Sequence, residues 1–123
     1  MKPQIDISVK TQYLDAQSDV TSERFVFAYT ITISNFLTEP IQLISRRWII
    51  SDKFNSTQEV KGLGVVGQQP IIESGKSFTY TSSAVIATDT GHMSGSYQMR
   101  KDTGEEIDVA IPDFALIHPK PLH

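Results

Sequence analysis

Gly62-Leu63-Gly64-Val65-Val66-Gly67-Gln68-Gln69-Pro70 spells G-x-G-x-x-G and then runs within three residues into a proline. Between a strand and a helix, that spacing cradles a pyrophosphate and signals an α/β dinucleotide-binding fold. The next residues, Ile71-Ile72-Glu73-Ser74-Gly75, exclude the helix. A proline, two β-branched residues and another glycine cannot open one. A phosphate here would lack both the helix dipole and the aligned N–H groups that bind it. Glycine also marks bulges, tight bends and places where another backbone comes close. The run therefore predicts a structural loop in a β protein, with contact to a partner as the second reading and phosphate binding as the third.

The flanking sequence carries a period of two. Phe25, Phe27, Tyr29, Ile31 and Ile33 alternate with Ala28, Thr30 and Thr32, which is a strand with one face buried. Ile5, Ile7 and Val9 alternate in the same way with Asp6, Ser8 and Lys10. The segment from Ile41 to Ile50 is apolar at both ends around Ser45-Arg46-Arg47, so its alternation does not give a register. Further strands are expected at Gln58–Lys61, Ser77–Ser83, Met93–Met99 and Glu106–Ile111. Turn formers separate them, among them Thr38-Glu39-Pro40, Asp89-Thr90-Gly91 and Asp102-Thr103-Gly104. No stretch repeats apolar residues at helical spacing. About seven or eight short strands without covering helices predict an all-β antiparallel sandwich, with Trp48 filling the space between sheets. The tail from Phe114 to His123, with Pro112 before it and Pro119 and Pro121 inside it, is expected to leave the last strand and pack over the sandwich.

The chain has 123 residues, the size of a single domain, with a formal net charge of −3. An acidic balance disfavours nucleic acid as a partner, because phosphate binding requires a basic face. No apolar run approaches the ~20 residues of a membrane span. Met1-Lys2-Pro3-Gln4 shows no secretory h-region, which makes a cytoplasmic location the expectation. Cysteine is absent, and with it disulfides, thiol nucleophiles and thiolate metal sites.

The remaining motifs are weak. Gly75-Lys76-Ser77 imitates the end of a P-loop, yet Pro70 stands where the first glycine belongs, and Phe78-Thr79-Tyr80-Thr81 reads as a strand. His92, His118 and His123 have no ligand-spaced partners, and Asp89 with His92 makes only a two-ligand site. Asp102, Glu105 and Glu106 sit together at a hairpin tip open to water, and Asp108 and Asp113 read as solvated positions. No serine occupies a G-x-S-x-G elbow. No catalytic residue, metal site or cofactor follows. Arg46-Arg47-Trp48 is different, because consecutive strand residues face opposite ways. One arginine thus shares a face with Ile44 or Trp48, and it is either paired with an acid or presented at a binding surface.

Together these pieces resemble the ApaG family. The likeness is carried by Arg24 through Ile33, Arg46-Arg47-Trp48-Ile49-Ile50-Ser51-Asp52, Val60 through Pro70, Phe78-Thr79-Tyr80-Thr81-Ser82 and Gly91 through Met99. Two turns depart from the family pattern: Ser74-Gly75 replaces Pro-Gly, and Thr88-Asp89-Thr90-Gly91 replaces Thr-Pro-x-Gly. The resemblance implies an immunoglobulin- or fibronectin-III-like sandwich over residues 1–123. It also implies a link to cobalt and magnesium homeostasis and a binding role, with no catalytic residues to carry over. The reading is a non-enzymatic module for a protein partner, with Arg46, Arg47, Trp48, Gly62, Gly64, Gly67, Gln69 and Pro70 as candidate binding residues. The alternative is a pyrophosphate- or nucleotide-binding protein using the Gly62–Gly67 loop. An edge strand could also pair two copies into a homodimer.

Overall fold

Period-two patterning becomes eight strands in the computed structural model, which describes residues 4–119. They are β1 (Ile5–Tyr13), β2 (Phe25–Asn35), β3 (Ile41–Asp52), β4 (Thr57–Leu63), β5 (Ile71–Ile72), β6 (Ser77–Ile86), β7 (Thr90–Lys101) and β8 (Glu106–Ile117). Among the described residues the one helical piece is a single 3-10 turn at Asp15–Gln17. The strands form two antiparallel sheets, β1-β2-β6 and β4-β3-β7-β8, with β5 paired to the start of β3. One-sided strands bury their apolar faces when two such sheets stack, and a β-sandwich results.

The alternation in β2 determines its two faces. Phe25, Phe27, Tyr29, Ile31 and Ile33 are buried in the core, each contributing roughly 1.5–3 kcal/mol by leaving water. The outward residues pair with β6 as a ladder of hydroxyls: Thr30 with Thr81 at 2.8 Å, Thr32 with Thr79 at 3.0 Å and Ser34 with Ser77 at 2.8 Å. Trp48 fills the space between the sheets, as expected, and is 2% exposed. Its ring lies edge-on to Tyr29, Tyr97 and Phe114, with centroids at 5.3, 6.3 and 5.8 Å, geometries that aromatic quadrupoles favour. At the end of β2, buried Asn35 donates from Nδ2 to the carbonyls of Glu39 and Ile72, both at 2.9 Å, and accepts from the Leu37 amide at 2.9 Å.

Two β-bulges account for what alternation left open. In β3 the pairing with β7 passes from Leu43 directly to Ser45, leaving Ile44 as the extra residue. Ile41 and Leu43 are buried before the bulge and Trp48 and Ile50 after it, so the inward parity changes from odd to even. The second bulge lies between β7 and β8, where Met93 pairs with Phe114 but Gly95 pairs with Ile111. Pro112 and Asp113 fall in this irregularity, where a missing N–H breaks no ladder bond. This corrects the expectation of a tail leaving the sheet at Phe114. The strand continues to Ile117, and Leu116 is fully buried. The proposed packing of Pro121 and His123 lies outside the described residues.

Candidate functional site

Alternation sends the two arginines to opposite faces of β3, and the bulge at Ile44 decides which of them faces inward. Arg47 points to the outer face of its sheet, where Nη2 and Nε donate to Glu59 Oε2 on β4 at 2.7 and 3.0 Å. Those donations, with Lys61 beside them, hold the Glu59 carboxyl below its ordinary pKa. Arg46 shares the inner face with Trp48 and not with Ile44. Its Nη1 donates to the carbonyls of Leu63 at 3.2 Å and Gly64 at 2.7 Å. Among the described residues no carboxylate pairs with Arg46, and neither Nε nor Nη2 has an acceptor.

The glycine run is a hairpin fastened to the same bulge. Bulging leaves the Ile44 carbonyl out of the ladder, and it accepts from the Gly64 amide at 2.8 Å and from Gln69 Nε2 at 2.9 Å. The Pro70 carbonyl accepts from the Leu43 amide at 3.0 Å. Between these anchors Val65 and Gln68 exchange two backbone bonds, 2.8 and 2.9 Å, around a two-residue turn. Val66 and Gly67 have φ of 43° and 78°, the left-handed pair that a tight hairpin requires. Glycine suits Gly67, but a β-branched residue such as Val66 is strained there. Gly64 has φ of 63°, and a Cβ on it would overlap the Gln68 carbonyl oxygen. A Cβ on Gly62 would come within 2.9 Å of Arg46 Nη2, so the guanidinium lies directly on that glycine.

Under the hairpin, between the sheets, a cleft of about 290 Å3 opens, lined by Arg46, Trp48, Tyr29, Val66, Gly67 and Ser82 among others. Tyr80 also lines it, and its hydroxyl is hydrogen-bonded to that of Tyr97 at 2.5 Å. Burial pushes the Tyr80 phenol up to about 12, opposed by the bond from Tyr97, and burial raises Tyr97 as well. Both rings are therefore neutral around pH 7. The indole N–H of Trp48 is buried and has no acceptor among the described residues, a state that costs about 1–3 kcal/mol.

Of the residues singled out from sequence, Arg46, Trp48 and Gly67 line the cleft. Gly62 receives the Arg46 guanidinium, Gly64 shapes the hairpin, and Gln69 and Pro70 fasten it to β3. Arg47 lies on the opposite face, in a hollow lined also by Ser45, Lys61, Gln98 and Asp108, which Arg46 borders as well. Period-two reading assigned Tyr29 to the core and passed over Tyr80 and Ser82, because their meeting with Arg46 depends on how the sheets stack. For the pyrophosphate alternative, the Gly64, Val65 and Gln68 amides already donate within the protein, and β5 follows the loop where that site requires a helix.

The weaker motifs are dispersed. Gly75 has φ of 77° in a turn, and Ser77 opens β6. Asp89 pairs with Lys53 at 3.1 Å, and His92 is exposed on β7. The His118 ring packs against Tyr13, with centroids 4.5 Å apart. Among the described residues no three His, Cys, Asp or Glu side chains converge, and no helix is long and apolar enough to cross a membrane. Glu106 pairs with Arg100 at 3.3 Å, and Glu105 with Lys101 at 3.8 Å, both at the β7–β8 turn.

Comparison with known proteins matches this architecture. The family model described as the ApaG domain matches residues 15–101. Protein ApaG of Thiobacillus denitrificans is 54% identical over 122 residues, covering 99% of this chain and 96% of the relative. A solved Bordetella pertussis structure, of a protein named ApaA, superposes with a TM-score of 0.92 at 43% identity, covering 95% of each chain. A protein from Archaeoglobus fulgidus shares the fold alone, with a TM-score of 0.59 at 9% identity over 94% of this chain and 98% of its own. The matched region holds the bulged strand, the fastened hairpin and the cleft beneath it, and on this match the chain belongs to the ApaG family.

Proposed function

We propose that the chain is a non-enzymatic interaction module that docks a protein partner along the edge formed by Arg46, Arg47 and the Gly62–Pro70 hairpin. The observation that carries this reading is the pairing of a rigidly fastened hairpin with apolar side chains held in water. Leu63 is 76% exposed and Val66 53% exposed, while backbone bonds to Ile44 and Leu43 hold the loop in place. Exposed apolar groups on an ordered scaffold suit recognition, and arginine beside them is a common anchor. The open edge of β4 extends the same surface, with Arg47 and Lys61 along it. A role near cobalt or magnesium balance would then act through the partner rather than through a metal held by this chain.

The test is affinity capture from a bacterial lysate on immobilised protein, comparing the wild type with a Leu63→Ser/Val66→Ser variant and an Arg46→Ala/Arg47→Ala variant. A partner retained by the wild type and lost from both variants supports the placement. Equal recovery on all three refutes it.

A further inference from the structure

Among the described residues, β4 is the one strand without a buried residue. It ends its sheet, with β3 on one flank and no strand on the other. The bonds beyond its two ends show which of its backbone groups face outward. The Asp52 amide donates to the Ser56 carbonyl and the Gly64 amide to the Ile44 carbonyl. Between them the register runs unbroken from Ser51–Thr57 to Ser45–Leu63. Hydrogen-bonded and non-bonded pairs alternate along an antiparallel ladder. Gln58, Val60 and Gly62 therefore bond to β3, while Thr57, Glu59, Lys61 and Leu63 turn their N–H and C=O groups away. Of these outward groups, the Leu63 carbonyl alone has a partner among the described residues, Arg46 Nη1 at 3.2 Å.

An open edge is a template for another strand, and charged side chains are its usual protection. On β4 the charges select a register instead. Outward residues pair only with outward residues, so the two-fold axis of an antiparallel β4 pair passes through a residue and never between two. An axis at Val60 overlaps the whole of Thr57–Leu63. It sets Glu59 opposite Lys61 of the second copy, and Lys61 opposite Glu59 of the second copy. An axis at Glu59 or Lys61 puts like charges directly opposite each other, which is unfavourable, and shortens the overlap. Both charges are already held on one face of the strand, since Arg47 and Lys61 pair with Glu59 at 2.7 and 3.3 Å. Val60, 38% exposed, meets its own copy at a non-hydrogen-bonded position, where side chains approach most closely.

We propose that β4 pairs antiparallel with β4 of a second copy about a two-fold axis at Val60, joining two β4-β3-β7-β8 sheets into one. The joint is isologous, so each outward group that it satisfies on one chain it satisfies on the other. A seven-residue strand makes a small interface, which implies weak, concentration-dependent association. The proposal goes beyond the docking reading and adds to it. The pair carries two Gly62–Pro70 hairpins at opposite ends of the joint, and a partner that engages both gains avidity.

Purified full-length protein is measured by sedimentation equilibrium from about 10 μM to about 1 mM, the range that resolves a weak dimer. The expected result is an average mass that rises from that of one chain towards twice that value. Glu59→Lys and Lys61→Glu each set like charges opposite one another at both places, and each alone weakens association about tenfold or more. Mixed in equal amounts, the two variants recover it, because each then faces its complement across the joint. Lys61→Pro removes an outward N–H and no bond to β3, and it abolishes association. A 15N-resolved spectrum matching the wild type away from β4 establishes that a variant is folded. If the proline variant does not fold, the mixing experiment decides alone.

A wild type that stays monomeric at about 1 mM overturns the proposal. So does a dimer that persists in folded Lys61→Pro, which would place the joint elsewhere, or a pair of charge variants that gains nothing on mixing. Lysate capture that depends on Leu63 and Val66 can persist through each of these results, so failure here is distinct from failure of the docking reading.

Discussion

Replacing Gly64 with alanine separates two costs that glycine avoids in this hairpin. At φ of 63° an alanine occupies the left-handed region, at about 1–2 kcal/mol. Its Cβ also overlaps the Gln68 carbonyl oxygen, so the hairpin must spread. Spreading breaks one of the Val65–Gln68 bonds or the bond from Gly64 to Ile44, at about 1 kcal/mol. The total is about 2–3 kcal/mol. Gly67 provides the control. Its φ is 78°, but a Cβ there meets nothing within 4 Å, so Gly67→Ala pays only the conformational cost, about 1 kcal/mol. In urea unfolding followed by circular dichroism, with a slope of about 1.5 kcal/mol/M, the midpoint falls by about 1.3–2 M for Gly64→Ala. For Gly67→Ala it falls by about 0.7 M on the same slope. Equal midpoints for the two variants would refute the crowding argument and leave only backbone conformation.

Other outcomes follow from the same geometry. Val66→Asn places a residue tolerant of left-handed φ at the strained turn position and raises stability by about 1 kcal/mol in the same assay; a loss would show that Val66 is not strained. Asn35→Ala orphans three backbone groups near the end of β2 and costs about 3 kcal/mol; a cost close to zero would mean water replaces the side chain freely. Tyr80 and Tyr97 favour their neutral forms in the fold, since burial raises both above the unfolded value of 10.0. Their contribution is therefore complete below pH 10 and is lost as pH rises from there through about 12. Urea midpoints measured across that window fall more steeply for the wild type than for a Tyr80→Phe/Tyr97→Phe protein, and parallel curves would remove the pair as the cause.

The strands of this fold are legible because a half-buried sheet imposes its period directly on sequence. Phe25 through Ile33 announce β2, and the proline after the glycine run removes the helix that the motif requires. The two bulges are not legible, because an inserted residue is defined by the partner strand it fails to pair with. Ile44 looks like any apolar residue of β3, and Pro112 looks like an ending. The candidate site follows the same division. Alternation already says that Arg46 and Arg47 face opposite ways and that one faces with Trp48. That Arg47 meets Glu59 depends on the β3–β4 register, and that Arg46 meets Tyr80 and Ser82 depends on sheet stacking. The Ile44 carbonyl, which fastens the loop, leaves no trace in side-chain chemistry.

That carbonyl gives the bulge a consequence for how the chain tolerates insertions and deletions. Loss of Ile44 alone would restore a regular ladder between β3 and β7 and shorten the chain by one residue, a minor event for most strands. Here it would remove the acceptor shared by the Gly64 amide and Gln69 Nε2. The core would keep its phase, because Ile41, Leu43, Trp48 and Ile50 would then alternate regularly on one face of the strand. The number of residues between Leu43 and Trp48 is thus constrained by the hairpin and not by the core. Substitutions can accumulate in this segment, whereas deletion of Ile44 unfastens the hairpin.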